Sequence, residues 1–330
     1  MILEVQDLKI DFTTAGGMLH AVRGVSFSVS EGEVLGIVGE SGSGKSVTAH
    51  SILTLLPGNG EVVGGDIRYN NSSVLSLSPE QLRRFRGQEV GIIFQEPGRS
   101  FDPIYSIGKA MSETLRAHNP DISDEEARRR SIQLLEEAKV PQAAERLGNF
   151  PHQFSGGLLQ RVMIALALAS DPKILIADEP TTALDVTIQA QIIELLLELK
   201  ERRGLAIVFI THNLALISGI ADRVVVMYSG LILEQGPAEQ VLHTPRHPYT
   251  RALLSSILSM GDHHSNRRVA IIRGGVPDPT HPEPGCPFEP RCPLAAPECR
   301  VAVPALNSEA GVDHRCIHPG VKGEDLYARS

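Results

Sequence analysis

The hydrophobic pattern of the first forty residues predicts β-structure. Apolar side chains alternate imperfectly with polar ones at Leu3, Val5, Leu8, Ile10 and Phe12, and such alternation is typical of strands with one buried face. Residues 22–29 continue the strand-rich opening, and the apolar run 34–38 predicts a buried strand. We expect the early strands to form a small antiparallel sheet.

The pattern changes to helical between residues 101 and 150. Residues 107–118 have the spacing of an amphipathic helix, and Ser123-Asp124-Glu125-Glu126 has the form of a capping box that opens a charged helix ending at Glu137. A periodic apolar stretch at 159–169 follows. These segments predict a helical subdomain at about residues 101–165.

Strands and helices alternate in the next part of the chain. Apolar runs at 174–177, 206–210 and 223–228 predict strands, and residues 186–203 predict a helix between the first two. Alternation of this kind is typical of an α/β fold with a mostly parallel core sheet.

A phosphate-binding motif follows the buried strand at 34–38. The sequence Gly39-Glu40-Ser41-Gly42-Ser43-Gly44-Lys45-Ser46 fits the pattern G-x-x-x-x-G-K-[ST]. Its glycines let the backbone bend so that several N–H groups point at one anion, with the positive end of a helix dipole behind them. The motif predicts binding of a nucleotide phosphate, with Lys45 on the β- and γ-phosphates and Ser46 on the Mg²⁺ ion. By itself it leaves kinases, GTPases and motor ATPases open.

Two acidic residues end the predicted strand at 174–177. Asp178 is suited to hold Mg²⁺ through water, because the ends of strands in such a sheet lie beside the phosphate-binding loop. Glu179 is the adjacent carboxylate and is suited to polarise an attacking water molecule. These two residues predict hydrolysis, with Glu179 as a catalytic residue.

A second anion-binding helix end is predicted at Phe154-Ser155-Gly156-Gly157. The two glycines come directly before the periodic stretch 159–169, so they leave bare N–H groups at a helix N-terminus. Only one of the two anion-binding helix ends can belong to the phosphate-binding loop of the same chain.

Together these motifs resemble the ATP-binding-cassette (ABC) family over residues 1–257. Gln95 is similar to the Q-loop residue of that family, His212 to its H-loop residue, and Ala183-Leu184-Asp185 to its D-loop. The resemblance implies that Gln95 senses the metal and water and that His212 contacts the γ-phosphate. It also implies that Ser155, Gly156 and Gly157 close over ATP bound to an opposite subunit.

Three positions depart from the family pattern. The signature begins with Phe154, where a leucine is usual, and its fifth residue is Leu158, where a glutamine is usual. The second change removes a polar group that could touch the nucleotide across the dimer. Asn213 follows His212, where the family often has aspartate. An aromatic side chain is expected to stack on adenine upstream of the loop, and the candidates are Phe12 and His20.

Composition narrows the functional classes. A net charge of −8 and a pI near 5.9 argue against a nucleic-acid-binding surface. No apolar stretch is long enough to span a bilayer, and the N-terminus has neither the basic start nor the apolar run of a signal peptide. We expect a cytoplasmic protein that reaches the membrane through a partner.

All four cysteines lie in a proline-rich tail after residue 257. Cys286, Cys292, Cys299 and Cys316 are separated by five, six and sixteen residues. Disulfides are disfavoured in a reducing cytoplasm. The spacing of the cysteines is compatible with two kinds of metal site. One is a zinc site in which His314 or His318 replaces a cysteine ligand, and the other is a [4Fe–4S] cluster.

The tail resembles the oligopeptide, dipeptide and nickel importer branch of the ABC family. The resemblance rests on His247-Pro248-Tyr249-Thr250-Arg251-Ala252-Leu253-Leu254 and on Gly285-Cys286 with Phe288 and Arg291-Cys292. It implies that Cys286, Cys292, Cys299 and Cys316 bind a [4Fe–4S] cluster. It also implies a second, different ATPase subunit, two membrane permeases and an extracytoplasmic binding protein as partners.

The expected protein is therefore the ATPase subunit of a peptide importer on the cytoplasmic face of the inner membrane. The expected fold is a P-loop core with an antiparallel β-subdomain, a helical subdomain and a cysteine-containing tail, divided into residues 1–257 and 258–330. The alternatives are a soluble ABC ATPase acting on ribosomes or DNA, and an importer of another substrate such as nickel.

Overall fold

The computed structural model describes residues 1–256, 272 and 274–320. These residues form two compact units: the first contains 1–29, 34–75 and the described part of 211–330, and the second contains 30–33 and 76–210. The predicted boundary at residue 257 lies outside the described residues. Within the described ranges, no helix has the length and hydropathy needed to cross a membrane.

The helices and strands follow each other in chain order as β1 (Leu3–Thr14), β2 (Gly17–Val29), β3 (Val34–Val38), α1 (Lys45–Ile52), β4 (Gly60–Tyr69), β5 (Ser72–Ser73), α2 (Pro79–Arg84), β6 (Val90–Ile93), α3 (Pro97–Ser100), α4 (Ile107–His118), α5 (Asp124–Glu137), α6 (Ala143–Arg146), α7 (Gly156–Ala167), β7 (Ile174–Asp178), α8 (Val186–Arg203), β8 (Ala206–Thr211), α9 (Leu214–Ile217), β9 (Arg223–Tyr228), β10 (Leu231–Pro237), α10 (Ala238–His243), α11 (Pro248–Ser255), β11 (Asn307–Glu309) and β12 (Val312–His314). Short 3₁₀ turns occupy Val74–Ser76, Pro151–Gln153, Glu289–Arg291 and Pro297–Arg300.

The predicted antiparallel sheet is confirmed in the first unit, where four strands pair in the order β2-β1-β4-β5. The pairing of β1 with β2 shifts register between Val5 and Leu8, and Asp7 there has a φ of 44°. This β-bulge adds a residue between two buried side chains, which explains why the alternation in the sequence is imperfect.

The larger sheet contributes five neighbouring strands to the first unit, in the order β11-β12-β10-β9-β3. The pair β3 and β9 is parallel, while β10 is antiparallel to both β9 and β12. The sequence pattern predicted β3 and β9 but missed β10 and the two short tail strands.

The second unit contains the parallel strands β8, β7 and β6 as neighbours. Every residue of β7 is buried, as expected for a strand inside a parallel sheet. The predicted bounds of α4, α5 and α8 are confirmed. Ser123 caps α5 by accepting from the Glu126 N–H at 3.2 Å, whereas the Glu126 carboxylate accepts from Arg129.

The cysteine-containing tail joins the first unit through packing that the sequence pattern did not reveal. Strand β12 pairs with β10, with Glu234 opposite His314. The ring of Phe288 is fully buried, 5.6 Å from that of Tyr228 and 5.2 Å from that of Tyr249, measured between centroids. Aromatic clusters of this kind contribute about 0.5–1.5 kcal/mol per pair beyond the area they bury.

A buried carboxylate connects β10 to the start of α11. Glu234 has no exposed surface, and its two oxygens accept from the Arg246 N–H at 2.5 Å and the His247 N–H at 3.1 Å. Burial raises the pKa of Glu234 to about 7, although both N–H donors favour the ionised form. Burial also lowers the pKa of His247 to about 3, so this neighbour is uncharged near neutral pH.

The titration of Glu234 predicts a pH-dependent stability. From about pH 5 to pH 7 the unfolded chain loses this proton while the folded chain keeps it, so the contribution of Glu234 to the free energy of unfolding falls as the pH rises. The glutamine of Glu234→Gln does not titrate. Between pH 5 and pH 7 the free energy of unfolding of the wild type should therefore fall by about 3 kcal/mol relative to that of Glu234→Gln. Urea unfolding at stepped pH values measures the difference, with Glu239→Gln at an exposed position of α10 as control. Parallel curves for wild type and Glu234→Gln would contradict it.

Candidate functional site

The glycine-rich loop between β3 and α1 is held tightly against its neighbours in the first unit. Gly39 has a φ of 152° and Gly44 a φ of 98°. A Cβ atom on Gly39 would collide with the Met227 carbonyl oxygen, and one on Gly44 would lie 2.6 Å from the Ala21 carbonyl oxygen. Both positions therefore require glycine, and the loop lies directly against β9 and β2.

Lys45 begins α1 and lies inside this loop. Its side chain is 4% exposed, and its Nζ donates to the carbonyl oxygens of Gly39 at 2.8 Å and Glu40 at 2.9 Å. The Ser43 Oγ is a third partner at 3.4 Å. The loop thus curls around a fixed ammonium group at a helix N-terminus, an arrangement that can bind a polyphosphate.

Glu40, the second residue of the loop, is held by two side chains from the C-terminal part of the chain. Its backbone N–H donates to the Tyr249 Oη at 2.9 Å, and its carboxylate accepts from the Arg291 Nη1 at 2.8 Å. Tyr249 and Arg291 were noted in the sequence only as part of the tail's resemblance. Spacing along the chain gives no signal for a contact between residues 251 positions apart.

The two candidates for adenine stacking lie on paired strands of the small sheet. Phe12 on β1 lies over Gly60, whereas the His20 Nδ1 on β2 is 2.9 Å from the Asp11 carboxylate. The backbone N–H of His20 donates to the Pro279 carbonyl oxygen at 3.0 Å. His212 is exposed directly after β8.

The second unit brings Gln95 and Glu179 together. Asp178, which is 2% exposed, is the last residue of β7. The following residue, Glu179, has a φ of 46°, which is uncommon for a side chain other than glycine. Its Oε2 accepts from the Gln95 Nε2 at 3.1 Å and from the Thr182 Oγ1 at 2.8 Å. Two donors therefore fix the orientation of a carboxylate that can accept a proton from water.

The signature residues line an open pocket of about 510 Å³ in the second unit. Helix α7 begins at Gly156, directly after Ser155. Asp185 lines the same pocket and caps α8 by accepting from the Ile188 N–H at 3.0 Å. The full lining is Lys139, Ser155, Gly156, Gly157, Leu158, Arg161, Ala183, Leu184, Asp185, Ile188 and Gln191. The N-terminus of α7, which Ser155 does not cap, and the cationic side chains of Lys139 and Arg161 make this pocket suitable for an anion.

The two unusual signature positions have different surroundings. The ring of Phe154 faces Arg146, whose guanidinium carbon is 5.5 Å from the ring centroid. This cation–π contact gives the aromatic residue a structural role. Leu158 lines the pocket and is half-buried, so it contributes an apolar side chain where a polar one is usual.

All four cysteines are free thiols that line one small cavity in the first unit, beside Phe288 and His247. Burial raises the pKa of Cys292 to about 11 and that of Cys316 to about 12, so both are neutral thiols at pH 7 unless a cation stabilises the thiolates. Among the described residues, no three His, Cys, Asp or Glu side chains are close enough to hold a single metal ion.

The two histidines considered as zinc ligands each pair with an acid. The His318 Nε2, which borders the cysteine cavity, is 2.9 Å from the Glu298 Oε1. The His314 Nε2 is 3.7 Å from the Glu309 Oε2. The cavity is thus lined mainly by thiols and apolar side chains, together with His247, Glu289 and His318.

Three family models match the chain. One, described as "ABC transporter", matches residues 22–182. Another, described as "Oligopeptide/dipeptide transporter, C-terminal region", matches residues 233–299, which include three of the four cysteines. The third, described as "AAA domain, putative AbiEii toxin, Type IV TA system", matches residues 151–218. The first two matches cover the glycine-rich loop, the signature, the acidic pair and most of the tail.

Two relatives match over most of their length. The chain is 44% identical over 319 residues to the dipeptide transport ATP-binding protein DppD of Escherichia coli. The aligned region covers 96% of this chain and 97% of the relative. It is 47% identical over 288 residues to the oligopeptide transport ATP-binding protein OppD of Bacillus subtilis, covering 87% and 80%.

A solved structure supports the same fold. The dimeric structure of a post-hydrolysis state of the ATP-binding cassette MJ0796, bound to ADP and Pi, aligns with a TM-score of 0.64 at 27% identity. The alignment covers 72% of this chain and 99% of that chain. The predicted fold class is confirmed.

Proposed function

Because this chain belongs to the ABC transporter family, we propose that it is the ATP-hydrolysing subunit of a peptide importer. The observation that carries the ATPase assignment is the carboxylate of Glu179, oriented by Gln95 and Thr182 directly after the strand-terminal Asp178. The matched C-terminal region and the peptide transport names of the relatives support peptides as the cargo class.

The glycine-rich loop binds the phosphates of ATP in this proposal. The N–H groups of Gly39, Ser41, Gly42, Ser43 and Gly44 surround the phosphates, and Lys45 balances their charge. Ser46 and Asp178 hold Mg²⁺, directly and through water respectively. The adenine ring stacks on Phe12, since His20 is already paired with Asp11.

Hydrolysis requires a water molecule aligned with the γ-phosphate. Glu179 accepts a proton from that water, and its two hydrogen-bond donors keep its carboxylate in one orientation. Gln95 contacts both the metal and the water, and His212 donates to the γ-phosphate as its charge develops.

The signature pocket serves the nucleotide of a second subunit. The start of α7, with Ser155, Gly156 and Gly157, can bind an anion. The glycine-rich loop at the start of α1 already provides an anion site for the nucleotide of this chain. Asp185 borders the same pocket and would contact the partner's nucleotide site. The dimeric structure of the similar cassette supports such an arrangement, and the partner is a related but different ATPase subunit.

The remaining partners are membrane proteins and a receptor. Two permease subunits carry the peptide across the membrane, and an extracytoplasmic binding protein delivers it. The chain acts at the cytoplasmic face of the inner membrane, where closure and opening of the ATPase dimer drive alternating access in the permeases. The choice of peptide is made in those other chains.

The cysteine cavity holds a [4Fe–4S] cluster in this proposal, with Cys286, Cys292, Cys299 and Cys316 as ligands. Support comes from four free thiols that line one cavity. Such a cluster supplies iron–thiolate bonds that tie together a tail of short elements. No step of ATP hydrolysis involves it.

Replacing Glu179 with glutamine should leave ATP binding intact and slow hydrolysis by about 100-fold or more, because the amide cannot accept the proton. Equilibrium ATP binding and steady-state phosphate release measure the two effects. Glu201→Gln, at an exposed position of α8, is the matched control. Turnover close to wild type in Glu179→Gln would remove this residue from its assigned role.

Replacing Ser155 with arginine should lower hydrolysis by about 100-fold in the assembled complex, because the side chain obstructs the pocket that completes the partner's site. ATP binding to the isolated chain should be unchanged. Ser72→Arg, at an exposed position of β5, controls for the added charge. A strictly monomeric chain that hydrolyses ATP at the full rate of the complex would refute the composite site.

Protein purified anaerobically should contain iron and acid-labile sulfide in equal amounts, because four converging thiols match the ligands of a [4Fe–4S] cluster. Cys292→Ser should lose most of both, while Ser308→Ala at an exposed tail position should retain them. Iron, sulfide and zinc assays on the same sample separate the alternatives. Stoichiometric zinc without sulfide, or a metal-free tail with two disulfides, would rule out the cluster.

A further inference from the structure

The C-terminal tail makes a nearly buried ion pair with the glycine-rich loop. The Arg291 side chain is 6% exposed, and its Nη1 lies 2.8 Å from the Glu40 Oε2. The same guanidinium donates to the Tyr228 Oη at 3.1 Å and to the Ile272 carbonyl oxygen at 3.3 Å. A carboxylate, a phenolic hydroxyl and a backbone carbonyl thus all accept from the Arg291 guanidinium, and these contacts fix its position.

A second contact fixes the backbone of the same loop residue. The Glu40 N–H donates to the Tyr249 Oη at 2.9 Å. Tyr249 is fully buried, with its ring centroid 4.6 Å from that of Tyr228 and 5.2 Å from that of Phe288. Both the main chain and the side chain of Glu40 are therefore held by rigid groups outside the loop.

These contacts continue into the centre of the loop. The Glu40 carbonyl oxygen accepts from the Lys45 Nζ at 2.9 Å. Glu40 thus connects Arg291 and Tyr249 on one side with the loop lysine on the other. Its carboxylate is also a negative charge in a loop suited to bind a negatively charged ligand, so its neutralisation matters for affinity.

We propose that Arg291 is a positioning residue for nucleotide binding: it neutralises the Glu40 carboxylate and, together with Tyr249, holds the loop backbone in its binding conformation. The inference rests on the proposed role of the loop in binding ATP phosphates. It makes the tail a part of the nucleotide site, since Arg291 lies between Phe288 and Cys292, which both line the cysteine cavity. ATP affinity therefore depends on an ordered tail.

A double-substitution cycle separates this role from simple anchoring of the tail. Arg291→Gln leaves the Glu40 charge uncompensated and should raise the Kd for MgATP about tenfold. Glu40→Gln removes that charge, so Glu40→Gln with Arg291→Gln should bind MgATP about tenfold more tightly than Arg291→Gln alone. If the ion pair only anchored the tail, the second substitution would not restore affinity.

The measurement is calorimetric titration of MgATP into the full chain, with thermal unfolding recorded for each variant. In steady-state hydrolysis by the complex, Arg291→Gln should raise KM for ATP by the same factor as Kd and leave kcat unchanged. Arg300→Gln is the matched control, because Arg300 pairs with Glu289 at 2.9 Å at an exposed tail position. It should bind MgATP like the wild type.

Tyr249→Phe provides a second variant that keeps the buried ring and removes only the hydroxyl group. It should raise the Kd about threefold by releasing the Glu40 N–H, which tests the proposal even if Arg291→Gln does not fold. Lys45→Ala tests the proposed function itself: if it binds MgATP as tightly as the wild type, the loop is not the nucleotide site. If Lys45→Ala abolishes binding while Arg291→Gln and Tyr249→Phe match the wild type, only the positioning role is refuted. Loss of affinity in Arg291→Gln without rescue by Glu40→Gln also refutes it.

Discussion

The close packing of the glycine-rich loop is the constraint on which the nucleotide site depends. Carbonyl oxygens from β9 and β2 occupy the space that side chains at Gly39 and Gly44 would need. The loop packs against strands of both sheets of the first unit. The orientation of its N–H groups is therefore set by these tertiary contacts as well as by the backbone preferences of its own residues. Lys45 adds to this order by binding two carbonyl oxygens of the loop. Preorganised donors of this kind need little rearrangement when an anion binds.

Local features of the sequence predicted much of the fold. Helices α4, α5 and α8 begin and end where the periodicity and the capping residues indicated, because a helix is specified by contacts within four residues. The buried runs that form β3, β7 and β9 were equally readable. The hydrogen bond between Gln95 and Glu179, which are 84 positions apart, brings together two residues that the motifs and the family resemblance had singled out, and their catalytic roles stay predictions.

The missed features depend on distant contacts or on segments too short to show a period. Strands β11 and β12 have three residues each, and their pairing with β10 follows no hydrophobic alternation. Phe288 is one apolar residue among prolines and charges, and its burial becomes intelligible only when Tyr228 and Tyr249 are beside it. The proline-rich composition of the tail gave no indication that Phe288 would share the core of the first unit.

The pairing of Glu40 with Arg291 also bears on the order in which the molecule is made. Because the ribosome synthesises the chain from the N-terminus to the C-terminus, Glu40 emerges 251 residues before Arg291. The loop can fold with its neighbouring strands, but its full set of hydrogen bonds forms only after the tail has emerged. A chain released early would carry every sequence motif of an ATPase and still have an incompletely restrained loop. A residue synthesised 251 positions later thus completes the restraint of the loop.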